Sequence, residues 1–265
     1  MVALSPAAAA QRELWGTDPR AWARLAEPHN EPLFEAVLDA AAVGPGTRLL
    51  DAGCGSGMAL VLAERRGAIP SGLDVTPGLL AIARERLPHA DLREGELEEL
   101  PFADGAFDAV IGVNSFQFAA DPRRAFAQAA RVTRPGGIVV ASLFAAPERS
   151  QSTAVHHALQ ALSSPDTAAE HAPFLLSTPG NLEAAMRDGG LSPAAAGEVA
   201  CAWRYASLEE AVGGLLCSAG GARAVRDAGE PAVRRALAAA LAPFADPGSG
   251  AVTMDNVFRW VAARR

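Results

Sequence analysis

The sequence predicts an α/β fold, a doubly wound and mostly parallel sheet with helices on both faces and an antiparallel last strand. Three observations predict it. Between Arg48 and Phe144 short apolar runs alternate with helical stretches, the rhythm of parallel βαβ units. The joints between them carry helix caps and stops. After Phe144 the rhythm changes, and the chain ends on a segment, Gly250–Ala263, in which apolar and polar residues alternate as in an antiparallel strand.

The elements follow in order. The opening, Ala7–Leu38, reads as two or three helices, broken at Gly16-Thr17-Asp18-Pro19 and near Pro28 and Pro32. Strands are expected at Arg48–Ala52, Gly72–Val75, Ala90–Glu94, Phe107–Val113 and Ile138–Phe144, with helices at Met58–Arg66, Pro77–Leu87 and Pro122–Val132. Asp121 before Pro122 is an N-cap with proline at the first helical position. Arg134-Pro135-Gly136-Gly137 ends that helix and turns into the next strand. Beyond Phe144, Ala145–Gly190 reads as helices and loops, and Ala195–Ala206 as a strand. Leu208–Phe244 reads as three short helices separated at Gly220-Gly221 and Gly229-Glu230-Pro231, a lid inserted between the last two strands. The expected units are an N-terminal helical cap (1–40), a core (41–145), a helical substrate cap (146–195) and the last two strands with their inserted lid (196–265).

Composition narrows the chemistry. Half of the 265 residues are apolar and a fifth are charged, as in ordinary soluble globular proteins. No run of about 18 apolar residues suggests a membrane span. The start lacks the basic segment of a secretory signal, so a cytoplasmic location is expected. The three cysteines show no paired spacing, so neither a disulfide framework nor a zinc site is expected. A net charge of −7 disfavours nucleic-acid partners. The chain contains no lysine, its basic residues all being arginine, which excludes Schiff-base, lysine-base and P-loop chemistry.

The segment Leu49-Leu50-Asp51-Ala52-Gly53-Cys54-Gly55-Ser56-Gly57 sits where the first strand meets the first helix of the core. Glycines at alternate positions let the backbone turn tightly and approach a ligand, and the helix N–H groups favour polar or anionic atoms. The dinucleotide fingerprint needs glycines at its first, third and sixth positions. Met58 stands at the sixth place counted from Gly53, and Leu60 counted from Gly55, so that reading fails. Asp74 at the tip of the second strand is placed to hold two ribose hydroxyls; the other reading is a cap for the helix beginning at Pro77. Beyond the third strand, Glu96 can accept from an exocyclic amine while the N–H of Leu97 donates to a ring nitrogen.

With these residues in view, the chain resembles a class I S-adenosylmethionine-dependent methyltransferase of the small-molecule group that includes ubiquinone- and natural-product-type enzymes. The resemblance spans about Leu38–Phe144 well and the strand near Val252–Ala262 more loosely. It implies a Rossmann-like seven-stranded sheet, S-adenosyl-L-methionine as cofactor, and a small-molecule substrate with no nucleic-acid or membrane partner. It implies that Asp51, Ala52, Gly53, Gly55, Gly57 and Met58 hold the methionine part. Asp74 would then take the ribose and Val75 lie beside the adenine; Glu96 and Leu97 would read the adenine edge, and Asn114 line the cofactor. Two positions depart from the family: Glu96 where aspartate is frequent, and Asn114-Ser115-Phe116-Gln117 where a histidine is frequent. The latter also lacks the Pro-Pro-aromatic signature of enzymes that methylate base amino groups.

Methyl transfer from a sulfonium chiefly needs alignment, worth about 7–11 kcal/mol, whereas a general base adds about 10²–10⁴-fold. The weak candidates for a base are His156, His157, His29 and Tyr205, with His171 in the same cap segment. His156 and His157 are neighbours that diverge by about 100° on a helix, so one pocket takes only one of them. Trp15 and Trp22 are equally able to roof a site or to pack a core. No metal site is expected. A short-chain dehydrogenase would need a Tyr-x-x-x-Lys pair and is excluded. An aminopropyltransferase would carry an acid where Asn114 stands. The alternative that stays open is a methyltransferase fold that binds the cofactor for cyclisation or other non-transfer chemistry.

Overall fold

The computed structural model describes residues 4–164 and 175–265. Seven strands form one sheet in the order β3-β2-β1-β4-β5-β7-β6. They are β1 (Arg48–Ala52), β2 (Ile69–Asp74), β3 (Asp91–Glu94), β4 (Phe107–Val113), β5 (Thr133–Phe144), β6 (Ser192–Tyr205) and β7 (Val252–Arg264). β1 to β5 pair in parallel, while β7 runs antiparallel to both of its neighbours. The described helices are α1 (Pro6–Trp15), the single turn α2 (Pro19–Ala21), α3 (Glu31–Ala40), α4 (Met58–Arg65), α5 (Pro77–Arg86), α6 (Pro122–Val132), α7 (Thr153–Gln160), α8 (Asn181–Asp188), α9 (Leu208–Leu216), α10 (Ala219–Ala228) and α11 (Glu230–Leu241).

Strands buried on both faces explain the unbroken apolar runs. Successive side chains point to opposite faces. Leu49 and Leu50, both fully buried, accordingly enter different cores. One core packs Leu33, Val37 and Leu38 of α3 and Leu60 of α4 against the sheet. The other packs Phe126, Ala129 and Val132 of α6 with Leu182 and Met186 of α8. A third lies under α9–α11.

The α6 start follows its sequence signal: Asp121 accepts from the Arg124 N–H at 3.1 Å, with Pro122 next. Elsewhere the boundaries move for identifiable reasons. Gly220-Gly221 does not separate helices but lies inside α10. Ser218 caps that helix, its hydroxyl accepting from the Gly221 N–H at 3.1 Å. A Cβ on Gly221 would stand 2.3 Å from the Leu215 carbonyl oxygen, so the glycine serves the tight α9–α10 turn. β5 begins at Thr133, so Arg134–Gly137 belong to the strand rather than to a separate turn, beside a register shift against β4. Between α2 and α3 the chain forms a π turn (Trp22–Ala26) and a 3₁₀ turn (Glu27–Asn30) instead of a break at Pro28. Pro32 falls in the first turn of α3, where its missing N–H costs nothing.

The strand order reverses between β1 and β4. In open sheets of this kind the crevice outside the carboxyl ends of those strands is where ligands bind. Among the described residues no helix is long and apolar enough to cross a membrane.

Candidate functional site

A cavity of about 300 Å³ opens at that switch point. Its floor is the β1–α4 loop. Gly53, Gly55 and Gly57 take φ of +88°, +54° and +85°, the left-handed conformations that favour glycine. The N–H groups of Gly53 and Cys54 donate to the Leu73 carbonyl at 2.7 and 2.9 Å, fixing the loop to β2.

The three glycines do different work. A Cβ on Gly53 would stand 2.4 Å from the Ser115 Cβ, and one on Gly57 would press on Ala83 of α5 at 3.1 Å. A Cβ on Gly55 would meet nothing within 4 Å, because that face opens on the cavity. Of the loop residues expected to touch a ligand, Asp51, Gly53 and Gly55 line the cavity; Ala52, Gly57 and Met58 do not. Ala52 is fully buried and accepts the Ser115 hydroxyl at 2.6 Å. Met58 packs against the α3/α4 core. Gly57 alone of the three takes a left-handed turn, at φ +85° on entry to α4.

Asp74, Val75, Glu96, Leu97 and Asn114 all line the cavity. The Asp74 carboxylate accepts from the N–H of Gly55 and from that of Thr76, each at 2.8 Å. It therefore joins the glycine loop to the α5 cap while lining the cavity. Burial raises its pKa, opposed by those two hydrogen bonds. Glu96 accepts the Ser5 N–H at 3.1 Å, and Arg12 pairs with Glu94 at 2.7 Å, so α1 is pinned across the end of β3. Asn114 is held at φ +52°, a strained backbone for a residue with a Cβ, and its N–H donates to Ser142 at 3.0 Å.

The N-terminal segment supplies a whole wall that the sequence did not single out as polar. Gln11, Glu27 and Asn30 line the cavity beside Trp15 and Trp22, whose rings meet edge-on at 4.7 Å. Glu27, nearly fully buried, pairs with Arg86 at 2.6 Å, and the same guanidinium donates to the Ser56 carbonyl at 3.0 Å. The cap is thereby tied to the glycine loop. A lone acid in Trp22–Glu27, ahead of Pro28, offers no local signal of this. Only the partner 59 residues away reveals it.

Among the described lining residues, buried polar atoms without a hydrogen-bond partner include Gln11 Nε2, Asn30 Oδ1, Asp51 Oδ1, Asn114 Oδ1, Gln117 Oε1 and Trp203 Nε1. Such atoms cost about 1–3 kcal/mol each when left unpaired, so their gathering on one cavity marks a polar ligand. Burial pushes the Asp51 carboxyl up to about 8, helped by the negative charges of Asp74 and Glu27. Three acids around one cavity favour a cationic group.

Asp51 makes stability depend on pH. Its folded pKa lies above the ordinary carboxylate value, so the stabilising contribution is fully present in acid and is lost as pH rises from about 4 to about 8. Melting of the ligand-free protein at pH 5 and at pH 8 should show the wild type less stable at pH 8. Asp51→Asn should shrink that difference; an unchanged difference would assign the pH dependence elsewhere.

The base candidates separate cleanly. His156 lines the cavity, and its ring meets Phe144 edge-on at 5.2 Å. Burial lowers its pKa to about 4, so it is neutral at ordinary pH. His157 is exposed and does not line the cavity. His29 does not line the cavity; its Nε2 bonds the Arg204 carbonyl at 2.8 Å and its ring packs on Tyr205 at 4.6 Å, tying the cap to β6. Tyr205 lines the cavity with its phenol pushed up by burial, which makes it a donor rather than a base. His171 lies outside the described residues.

Known proteins agree with this geometry. Residues 50–141 match the family model described as a methyltransferase domain. Malonyl-[acyl-carrier protein] O-methyltransferase of Serratia marcescens is 38% identical over 112 residues, which is 42% of this chain and 44% of that protein, so the match spans less than half of the relative. Among solved structures, the geranyl diphosphate C-methyltransferase of Streptomyces coelicolor superposes with a TM-score of 0.57 at 17% identity, covering 98% of both chains. The [4+2]-cyclase SpnF superposes with a TM-score of 0.55 at 23% identity, covering 88% of this chain and 80% of its own. Across the glycine loop, Asp74, Glu96 and the strands that carry them, residues 50–141 hold a methyltransferase domain.

Proposed function

We propose that this protein binds S-adenosylmethionine and transfers its methyl group to a small molecule. The observation that carries the reading is the cradle above Gly55, open where a Cβ would stand, beside the buried and unpartnered Oδ1 of Asp51. That pairing suits a ligand that brings backbone-close atoms and a cationic head together.

Asp51, with Glu27 and Asp74 near it, would face the amino group of the methionine part. Gly53 and Gly55 would let that part lie against the backbone. Asp74 retains acceptor capacity beyond its two backbone bonds for ribose hydroxyls. Val75, Glu96 and Leu97 would flank the adenine, and Asn114 would line the sulfonium end. When bound, the cofactor supplies a methyl group already activated by its sulfonium. Residues 1–40 would close over it and exclude water, with Trp15 and Trp22 as the roof. Residues 146–195 and the helices inserted within 196–265 would cap the acceptor around the 41–145 core.

The chain's own part is mainly alignment, worth about 7–11 kcal/mol. His156 with its pKa near 4 is a weak base, and Tyr205 is none at neutral pH. Among the described candidates neither is an effective base, which favours acceptors that need little proton removal.

Titration calorimetry with S-adenosylhomocysteine should give one site with micromolar or tighter affinity. Incubation with S-adenosylmethionine and a broad panel of small molecules should release S-adenosylhomocysteine. The absence of binding at millimolar ligand would end the proposal. Tight binding with no release across the panel, and a new isomer of one substrate instead, would favour cyclisation, the chemistry named for SpnF.

A further inference from the structure

Beyond the cofactor half, the cavity continues into a chamber at the carboxyl ends of β5 and β6, beside the antiparallel β7. The carboxylates that line the cavity, Glu27, Asp51, Asp74, Glu96 and Glu98, all come from the N-terminal segment or from the region of β1–β3. Among the described residues none comes from β5–β7 or from the helices after Phe144. The chamber wall is aromatic instead. Phe144 is its hub, with Phe258 at 4.4 Å, His156 at 5.2 Å and Trp203 at 6.1 Å. Leu159 and Leu215 extend it. Arg223, a basic side chain on the lining, already has a partner within the protein.

On this wall, which also carries the Tyr205 hydroxyl, one buried donor lacks a partner among the described residues. The indole N–H of Trp203 is buried, and no described residue accepts from it. A buried donor of this kind is generally partnered, and in a binding chamber the missing acceptor comes with the ligand. Indole presents a large apolar surface and a single donor, the combination that orients a flat apolar molecule by one oxygen.

We propose that the acceptor is an uncharged, mainly apolar ring compound carrying a hydroxyl or carbonyl oxygen, and that Trp203 is the residue that reads this oxygen. The inference rests on the methyltransferase reading for the word acceptor, but the chamber and its donor stand without it. A carboxylate on the ring would have to leave water for an aromatic wall on which Arg223, the basic side chain among the described lining residues, is engaged. An ammonium would find no carboxylate among the described residues at that end. His156, neutral at ordinary pH, adds no charge to the chamber.

The test uses 2-naphthol, naphthalene and 2-naphthoate as probes, titrated by fluorescence into the protein saturated with S-adenosylhomocysteine. The order expected is 2-naphthol tightest and 2-naphthoate weakest. Trp203→Phe keeps a ring and removes the donor; it should weaken 2-naphthol by about three- to ten-fold, the range for one neutral hydrogen bond. Naphthalene affinity should stay within about two-fold, a control that the chamber keeps its shape. Preference for 2-naphthoate, no binding of 2-naphthol, or equal loss of both neutral probes in Trp203→Phe would overturn the proposal. Should S-adenosylhomocysteine fail to bind, the same titrations on the protein alone decide the chamber separately: the expected order there would leave the chamber standing while the cofactor reading fell.

Discussion

Gly55→Val should abolish binding of S-adenosylhomocysteine while leaving a folded protein. Gly55 sits at φ +54°, where an L-residue is disfavoured by roughly 1–2 kcal/mol and a β-branched one by more. The fold around it has room, since a Cβ there meets nothing within 4 Å. The valine methyl groups would occupy the cavity itself. An affinity loss of at least about 100-fold by calorimetry is expected, equivalent to about 2.7 kcal/mol. Gly53→Ala is the informative contrast. Its Cβ would stand 2.4 Å from that of Ser115, so damage there begins with packing and lowers the melting temperature. If Gly55→Val bound normally, the ligand would not lie against this loop and the cofactor reading would fail.

Much of this site was legible in the sequence because its signals are local. The β1 and β4 ranges and the α6 range follow from apolar runs with a cap, a proline or a glycine at each end. Asp51 and Asp74 lie at the ends of β1 and β2 and Glu96 just beyond β3, so an apolar run followed by an acid brings all three to one edge of the sheet. What sequence could not show was closure over distance. Glu27 meets Arg86, Ser5 meets Glu96, and Trp203 meets Phe144 only after the sheet and the cap have assembled. The histidine pair shows the same limit. Helical geometry says that His156 and His157 diverge, but only packing against Phe144 says which one turns inward. The misplacement at Gly220-Gly221 has the opposite cause. Two glycines look like a break, and here the second of them, Gly221, relieves a crowded approach inside the first turn of a helix, against Leu215.

Replacing Asp74 should have the second large effect, and the structure changes how it must be read. Asp74→Ala removes the acceptor from two backbone N–H groups, those of Gly55 and Thr76. Each buried donor left unpaired costs about 1–3 kcal/mol. At roughly 2–4 °C per kcal/mol for a domain of this size, the melting temperature should fall by roughly 5–15 °C. Loss of cofactor affinity in that variant is expected but ambiguous, since the loop loosens as well. Asp74→Asn keeps one oxygen for one of the two N–H groups and should melt between the alanine variant and the wild type. The ribose role is then isolated from the ligand side. The wild type should bind 2′,3′-dideoxy-S-adenosylhomocysteine at least about ten-fold more weakly than the parent compound, the worth of hydrogen bonds to a charged acceptor. Asp74→Asn should discriminate between the two ligands far less. A coupling of this kind appears only when the deleted hydroxyls and the deleted charge face one another. If both proteins lose the same factor, Asp74 serves the loop alone, and the ribose must be held by another group on the cavity wall.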